Sequence, residues 1–313
     1  MGRRLRFIPP GGALVEITCR TIQGRFLLQP TMELRDIIIG ALARAQQLYP
    51  IDIHAFVFMS NHYHLLLSVP DAQRLARFMG HFNSKLAREI ARLTGWRDKV
   101  WSRRYQAVVV SEEEFAQVAR LRYVLSHGVK ENLVDHPADW PGANTISALL
   151  EGTSLQGRWF DRTREWAARQ RRERYHPLRY ATRENLDLEP LPCWRSYSDD
   201  RRRSAIASLL TAILDQHAPK LGRDRKLQHT LATLLAHHPH ERPKKLKRSP
   251  APWFHCASKA ARRELIEAYG WFLAAYLQAA DTLRSGNLKA AFPDGSFPPP
   301  LPFVGDALSL APT

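Results

Sequence analysis

The chain has 313 residues and a formal net charge of +16, with 46 lysine and arginine side chains against 30 aspartates and glutamates. It contains no run of about 18 apolar residues, so we expect no membrane-spanning segment. Its three scattered cysteines exclude a disulfide framework or a zinc ribbon. The positive charge is typical of proteins that bind nucleic acid, with a ribosomal or membrane-surface protein as the alternatives. No secretory leader is recognised, and a cytoplasmic protein is expected.

From residue 13 onward, the hydrophobic patterns predict the order strand, helix, strand, strand, helix, strand, helix. Two long helices are predicted at residues 32–49 and 72–94, and Gly95 is the expected end of the second. Residues 108–110 form a short candidate strand between that helix and the next one. One antiparallel sheet with helices on one face accounts for this order, which gives a ferredoxin-like α+β fold.

Two histidines stand one residue apart inside an apolar strand pattern. Residues 53–59 and 62–67 are predicted as paired strands, with Ser60 and Asn61 in the turn. On a strand, His62 and His64 project from the same face at roughly 6–7 Å, close enough to share one metal ion. The alternative is a pair of hydrogen-bonded histidines on a half-exposed strand.

A further helix follows Ser111, which with Glu114 forms a capping-box pattern. The helix is predicted to run to about Gly128. Tyr123 and His127 are four residues apart, so they are neighbours on one helical face. This pair suits metal-assisted cleavage of a phosphodiester by a tyrosine. Alternatively, Tyr123 belongs to the core and His127 is a helix-end histidine favoured by the helix dipole.

The stretch at residues 6–144 resembles the single-tyrosine HUH transposases, and is most similar to the REP-associated tyrosine transposases, relatives of the insertion-sequence-200 type. The segments that carry the resemblance are, in chain order, LVEITCR at 14–20, FVFMSNHYHLLL at 56–67, VWSRRY at 100–105, RYVLSHGV at 122–129 and DWPG at 139–142.

The resemblance implies an HUH endonuclease fold in which a helix places its tyrosine over the histidine strand. It implies that His62 and His64 are ligands of a divalent metal, Mg²⁺ or Mn²⁺, and that Tyr123 is the nucleophile. The residue four positions after the tyrosine is usually Asn or Gln in this family and completes the metal site. Here that residue is His127, a competent ligand that leaves the identity of the metal open.

Cationic side chains beside aromatic ones mark candidate contacts to single-stranded nucleic acid, which is held by phosphate pairing and base stacking. Such a mixture occurs next to Trp101, and further cations lie on the second long helix and at the N-terminus. The alternative is that these charges are solvated surface groups. The predicted nucleic-acid-binding residues are Arg3, Arg4, Lys85, Arg88, Arg103, Arg104 and Tyr105.

We expect an HUH domain at residues 1–150 and a basic, mainly helical accessory DNA-binding region at 151–313, which ends in a proline-rich tail. Helices are predicted at 201–214 and 258–283, and residues 162–179 are interpreted as a DNA-contacting linker. The expected activity is metal-dependent nicking and strand transfer on single-stranded, hairpin or repeat DNA through a 5′-phosphotyrosine intermediate, by a monomer or a homodimer. The alternatives are a catalytically silent DNA-binding protein of the same descent and a metal phosphodiesterase that uses water.

Overall fold

The computed structural model describes residues 5–171, 176–221, 231–244 and 252–300. The strands are β1 (Ala13–Arg20), β2 (Asp52–Met59), β3 (His62–Val69), β4 (Gln106–Val110), β5 (Leu155–Phe160), β6 (Ala181–Leu186) and β7 (Phe254–His255). The helices are α1 (Met32–Leu48), α2 (Ala72–Thr94), α3 (Glu114–Leu125), α4 (Ile146–Glu151), α5 (Arg162–Gln170), α6 (Asp199–Leu221), α7 (Leu231–Ala236) and α8 (Lys259–Arg284).

The main sheet has the strand order β2-β3-β1-β4-β7. The four strands β1 to β4 are antiparallel to their neighbours, whereas β7 is added in parallel beside β4 at the edge. With α1 and α2 as its connections, this is the ferredoxin-like α+β topology predicted from the order of elements. The strand β7 comes from the last third of the chain, so that region contributes directly to the main sheet.

The alternation of side chains along each strand separates two apolar cores. Val15, Ile17 and Tyr63 pack with α1 and α2 on one face of the sheet. Leu14 and Leu66 point to the opposite face, which is covered by α3, α4 and α6. Helices α1 and α2 thus share one face as expected, and further helices cover the second face.

The ends of α2 follow from residues visible in the sequence. The side chain of Asp71 accepts a hydrogen bond from the backbone N–H of Arg74 at 2.6 Å and caps the start of the helix. Gly95 adopts a left-handed conformation with φ of +68° and ends it. Both ends of α2 therefore agree with the prediction.

The start of α3 differs from the predicted capping box. Its N-cap residue is Glu113, without a side-chain capping bond, and the hydroxyl of Ser111 instead donates to the carboxylate of Glu113 at 2.7 Å. That carboxylate also accepts hydrogen bonds from the backbone N–H groups of Ala257 and Ser258, at 2.7 and 3.2 Å. Glu113, which is not part of the predicted pairing of Ser111 with Glu114, thus anchors the segment before α8.

The small β5–β6 sheet packs against α1 through glycine. A Cβ atom at Gly40 would lie 2.2 Å from the backbone carbonyl carbon of Arg158, and one at Gly157 would lie 2.2 Å from the nitrogen of Gly40. Only a hydrogen atom fits at either position, so the backbones of α1 and β5 are in direct contact. The segment interpreted as a linker at 162–179 contains α5 and the turn that leads into β6.

Within the described ranges, no helix combines the length and apolar character that crossing a bilayer requires. Arg3 and Arg4 lie outside the described residues, as does the part of the proline-rich tail that follows residue 300.

Candidate active site

The two histidines of β3 lie on the face of the sheet covered by α3. The side chain between them, Tyr63, is fully buried on the other face, where its hydroxyl donates to Asn83 at 2.6 Å. His62 and His64 therefore project together, with ring centroids 5.3 Å apart. This arrangement follows from the two-residue period of a strand.

Helix α3 ends at Leu125, earlier than the predicted end near Gly128, so Tyr123 lies on the helix and His127 lies in the turn that follows it. The ring of Tyr123 lies 4.8 Å from that of His127 and 5.4 Å from that of His64, centroid to centroid. His127 lies 4.4 Å from His64 and 6.0 Å from His62. Two separate elements thus converge on one cluster of three histidines and a tyrosine.

The loop after α3 fixes the position of His127. Gly128 follows it with φ of +94° and lies against Trp140. The indole N–H of Trp140 donates to the carbonyl oxygen of Phe58 on β2 at 2.8 Å. The segment that begins at Asp139 therefore ties the end of α3 to the histidine hairpin.

Each histidine of the cluster has its Nδ1 atom beside an oxygen acceptor. His62 is paired with the side-chain oxygen of Asn61 at 2.7 Å, His64 with Glu16 at 2.9 Å, and His127 with the backbone oxygen of Tyr123 at 2.9 Å. A proton on each Nδ1 satisfies these contacts and leaves the three Nε2 lone pairs for a metal. Outer hydrogen bonds of this kind orient and fix the tautomer of metal-binding histidines.

The three residues offer ring nitrogens that all lie within 4.8 Å of one another. A shared ion with bonds of about 2.1 Å needs nitrogens roughly 3–4 Å apart, so small rotations of the rings complete the site. Burial and the neighbouring imidazole of His64 lower the pKa of His127 to about 3. Burial, with the charges of His64 and His127, also holds the pKa of His62 well below its usual range. Both are therefore neutral near pH 7, as metal ligands must be.

Glu16, in the middle of β1, is a buried carboxylate behind this cluster. One of its oxygens accepts from His64, and the other lies 2.8 Å from Nε2 of His255 and 3.4 Å from the guanidinium of Arg120. Burial alone would raise the pKa of Glu16, but the hydrogen bonds with His255 and His64 outweigh it and hold this pKa well below the ordinary value. Glu16 thus keeps its negative charge beside His64.

Tyr123 is partly exposed between two cations. The guanidinium of Arg120 lies 4.8 Å and the ammonium of Lys130 4.2 Å from the centroid of its ring. Burial, and then the charge of Glu16, raise the pKa of Tyr123, while Arg120 opposes this shift. The phenol is therefore protonated at neutral pH and needs assistance to act as a nucleophile.

The family model described as "Transposase IS200 like" matches residues 18–126. This segment is an IS200-like transposase domain. The match includes His62, His64 and Tyr123 and ends one residue before His127, the position at which the sequence departs from the family pattern. The recognition of a transposase from the five sequence segments is thereby confirmed.

Two solved structures are similar to this chain. One is described as a REP-associated tyrosine transposase bound to a REP hairpin, with 17% identity, a TM-score of 0.38, and coverage of 48% of this chain and 86% of that one. The other is a candidate transposase from Deinococcus radiodurans R1, with 18% identity, a TM-score of 0.28, and coverage of 39% and 95%. No curated protein matches the chain.

The residues predicted to contact DNA are dispersed around the transposase domain. Arg103 and Arg104 are exposed, and Lys85 and Arg88 lie on the outer side of α2. Tyr105 needs correction, because its ring is only 7% exposed and packs in the core with α1 and α2. A ring in that position cannot stack on a base.

Sequence reasoning missed Glu16 and His255. The signal for Glu16 was present, since it is a single acid inside the apolar strand LVEITC. No local pattern distinguishes His255, because its role depends on the pairing of the two-residue strand β7 with β4.

Proposed function

We propose that the protein is a metal-dependent endonuclease and strand transferase for single-stranded DNA, in which Tyr123 is the nucleophile. One observation carries this proposal: three histidines, whose ring nitrogens lie within 4.8 Å of one another, converge with Tyr123 on one face of the transposase domain. The net charge of +16 supports nucleic acid as the substrate. Hairpin or repeat DNA is the substrate that the resemblance in sequence implies.

His62, His64 and His127 would hold the metal. A bound divalent ion supplies charge withdrawal from the scissile phosphate and open positions for its oxygens. A set of three imidazoles suits Mn²⁺ better than Mg²⁺, which prefers oxygen ligands. Glu16 keeps His64 oriented, because its carboxylate accepts the Nδ1 proton of that ring.

Tyr123 then attacks the phosphorus atom. A bond forms between the phenolic oxygen and phosphorus as the bond from phosphorus to the 3′ oxygen breaks. The phenol gives up its proton and the departing 3′ oxygen takes one up, which leaves a 5′-phosphotyrosine and a free 3′-hydroxyl. Arg120 and Lys130, both within 5 Å of the ring centre, stabilise the negative charge that develops during attack. Because the linkage retains the energy of the phosphodiester, the reverse attack by a 3′-hydroxyl rejoins DNA without ATP.

The test is a denaturing gel that detects a covalent protein–DNA adduct. Labelled single-stranded hairpin oligonucleotides from the flanks of the gene are incubated with the full-length protein and Mn²⁺ or Mg²⁺. We expect an adduct that depends on metal, is absent in Tyr123→Phe and is strongly reduced in His62→Ala. The matched control is Tyr276→Phe on α8, which removes a hydroxyl that donates to the backbone oxygen of Phe297 and should leave the adduct unchanged.

Two outcomes overturn the proposal in different ways. Tight binding without an adduct on any flanking hairpin indicates a catalytically silent DNA-binding protein. Cleavage without an adduct, retained in Tyr123→Phe, indicates a phosphodiesterase that uses water.

A further inference from the structure

Helices α2 and α5 border an open cleft of about 620 Å³. It lies on the side of the sheet where α2 packs, opposite to the face that carries the histidine cluster. Lys85, Arg88 and Arg92 from α2 line one side of the cleft, and Trp166 from α5 lines the other. The cleft is therefore separate from the candidate active site and combines cationic and aromatic groups.

Arg162, which also lines the cleft, is paired with one acid from each of these helices. Arg162 donates to both oxygens of Glu89, with Nε at 2.7 Å from Oε1, and also to Glu165. Glu165 is 2% exposed and forms a second ion pair, with Arg169, at 2.8 Å. The paired acids fasten α5 to α2 and leave little negative charge at the surface of the cleft.

The three cations of α2 follow a helical spacing of three and four residues, so they lie on one side of the helix. Their backbones are separated by roughly 4.5 and 6 Å along the helix axis. Across the ranges that the structure describes, none of these three side chains forms an ion pair with a carboxylate. The row of positive charge is therefore open to an anionic partner that extends along the helix.

Trp166 lies beside this row with 62% of its surface exposed. A tryptophan at such exposure leaves a large apolar ring in water, although α5 is short and well fixed by Arg162. Phosphates in a row with bases beside them match this combination, since cations bind the backbone and an aromatic face stacks on a base. A phospholipid surface or an acidic peptide also offers negative charge, but a nucleic-acid strand places an aromatic base beside each phosphate.

We propose that this cleft is a second nucleic-acid-binding site, in which Lys85, Arg88 and Arg92 bind consecutive phosphates of a single strand and Trp166 stacks on one base. The inference rests on the proposed function, because it assumes that the substrate is DNA. It adds that a part of the strand remote from the cut is held behind the sheet. Such a strand passes round the edge of the sheet to reach Tyr123.

The test compares fluorescence anisotropy of two labelled single strands, one just long enough to contain the cut site and one extended beyond it. For the extended strand, we expect Trp166→Ala to weaken binding by about tenfold and Trp166→Phe to restore most of the affinity. The matched control is Trp271→Ala, which removes a tryptophan that is 79% exposed on α8 and should not change affinity. The short strand should bind Trp166→Ala and the wild type alike.

The salt dependence of binding tests the row of cations. The slope of log affinity against log salt should become shallower by about 1.4 in the double variant Arg88→Gln and Arg92→Gln, since each phosphate contact on a single strand contributes about 0.7. Arg263→Gln, an exposed arginine on α8, should leave the slope unchanged. All substituted side chains are exposed, and thermal melting verifies that each variant is folded.

Failure of this inference and failure of the proposed function have different signatures. If Trp166→Ala and the double variant bind the extended strand like the wild type while Tyr123 still forms its adduct, the cleft is not a DNA site. If no adduct forms but these variants lose affinity, the cleft binds DNA and the proposed catalysis is wrong. Binding of phosphatidylserine vesicles that depends on Arg88 and Arg92, without any effect on DNA, overturns the inference in favour of a membrane surface.

Discussion

Oε2 of Glu16 lies 2.8 Å from Nε2 of His255, so the first strand of the sheet is bonded to the last. The other oxygen of the same carboxylate holds His64 at 2.9 Å. A side chain from the last third of the chain thus takes part in orienting a candidate metal ligand. The surroundings of the candidate metal site therefore extend beyond residues 18–126, which the transposase family model matches.

Substitution of Glu16 by glutamine is expected to weaken Mn²⁺ binding by about 10- to 100-fold, because an amide oxygen cannot accept from both histidines as a carboxylate does. His255→Ala should weaken binding less, since the bond to His64 remains. Isothermal titration calorimetry of the full-length protein measures both effects. His176→Ala, at an exposed position, is the control, and equal affinity in Glu16→Gln and wild type would show that Glu16 does not support the metal site.

His127 is expected to set the preference between metals. Its replacement by glutamine, one of the residues usual in the family, introduces an oxygen ligand and should raise the ratio of adduct formed with Mg²⁺ to that formed with Mn²⁺ by about tenfold. His127→Ala should lose adduct formation with either ion. Quantified adduct bands over a range of metal concentrations give the ratio. An unchanged ratio in His127→Gln would mean that residue 127 does not bind the metal.

His54 should make folding sensitive to mild acid. It is 2% exposed, with Nδ1 at 2.9 Å from the backbone oxygen of Glu189 and Nε2 at 2.7 Å from the hydroxyl of Ser68. Burial lowers its pKa to about 4. The unfolded chain then binds this proton more readily than the folded protein, so stability is complete above about pH 6.5 and falls as the pH decreases towards 4.

The expected contribution of His54 is a loss of about 2 kcal/mol in the free energy of unfolding between about pH 7 and about pH 5. Urea denaturation at the two pH values measures it. Other buried histidines also contribute to the loss of unfolding free energy between these pH values. The contribution of His54 is therefore measured as the difference in pH dependence between wild type and His54→Gln. The His54→Gln variant should be less stable than the wild type near neutral pH, but its free energy of unfolding should fall less as the pH decreases. An identical pH dependence in both proteins would show that His54 is not the source of the acid sensitivity.

Two helical glycines should respond to alanine in opposite directions. Gly40→Ala places a Cβ against the backbone of Arg158 and is expected to destabilise the protein by about 2–4 kcal/mol. Gly80→Ala, in the middle of α2 with no atom within 4 Å of the added Cβ, should stabilise it by about 0.5–1 kcal/mol. Chemical denaturation of both variants tests the pair. A similar change in unfolding free energy for both variants would indicate that the backbones of α1 and β5 are not in direct contact.

Local sequence patterns were sufficient to predict most strands of the main sheet and the helices that connect them. The apolar periodicity, Asp71 and Gly95 define α2, and the alternation around Tyr63 places His62 and His64 on one face. The order of five short segments along the chain was sufficient to recognise the transposase family. These features depend on residues close in sequence, whose physical consequences are short-range.

The errors and omissions arise where distant residues meet. Ser111 and Glu114 form a capping-box pattern, yet Glu113 caps a different segment because α8 begins beside it. Tyr105 stands next to exposed arginines, but strand β4 begins at the next residue and turns its ring into the core. The cleft beside Trp166 depends on the packing of α5 on α2, which no local pattern predicts.

The bond between Glu16 and His255 has a consequence for how the protein is made. Until residue 255 has been synthesised, Glu16 lacks one of the partners that it has in the folded protein. Contacts between residues so far apart close late and slow the final step of folding. The surroundings of the candidate metal site are therefore complete only after His255 has been synthesised and β7 has paired with β4.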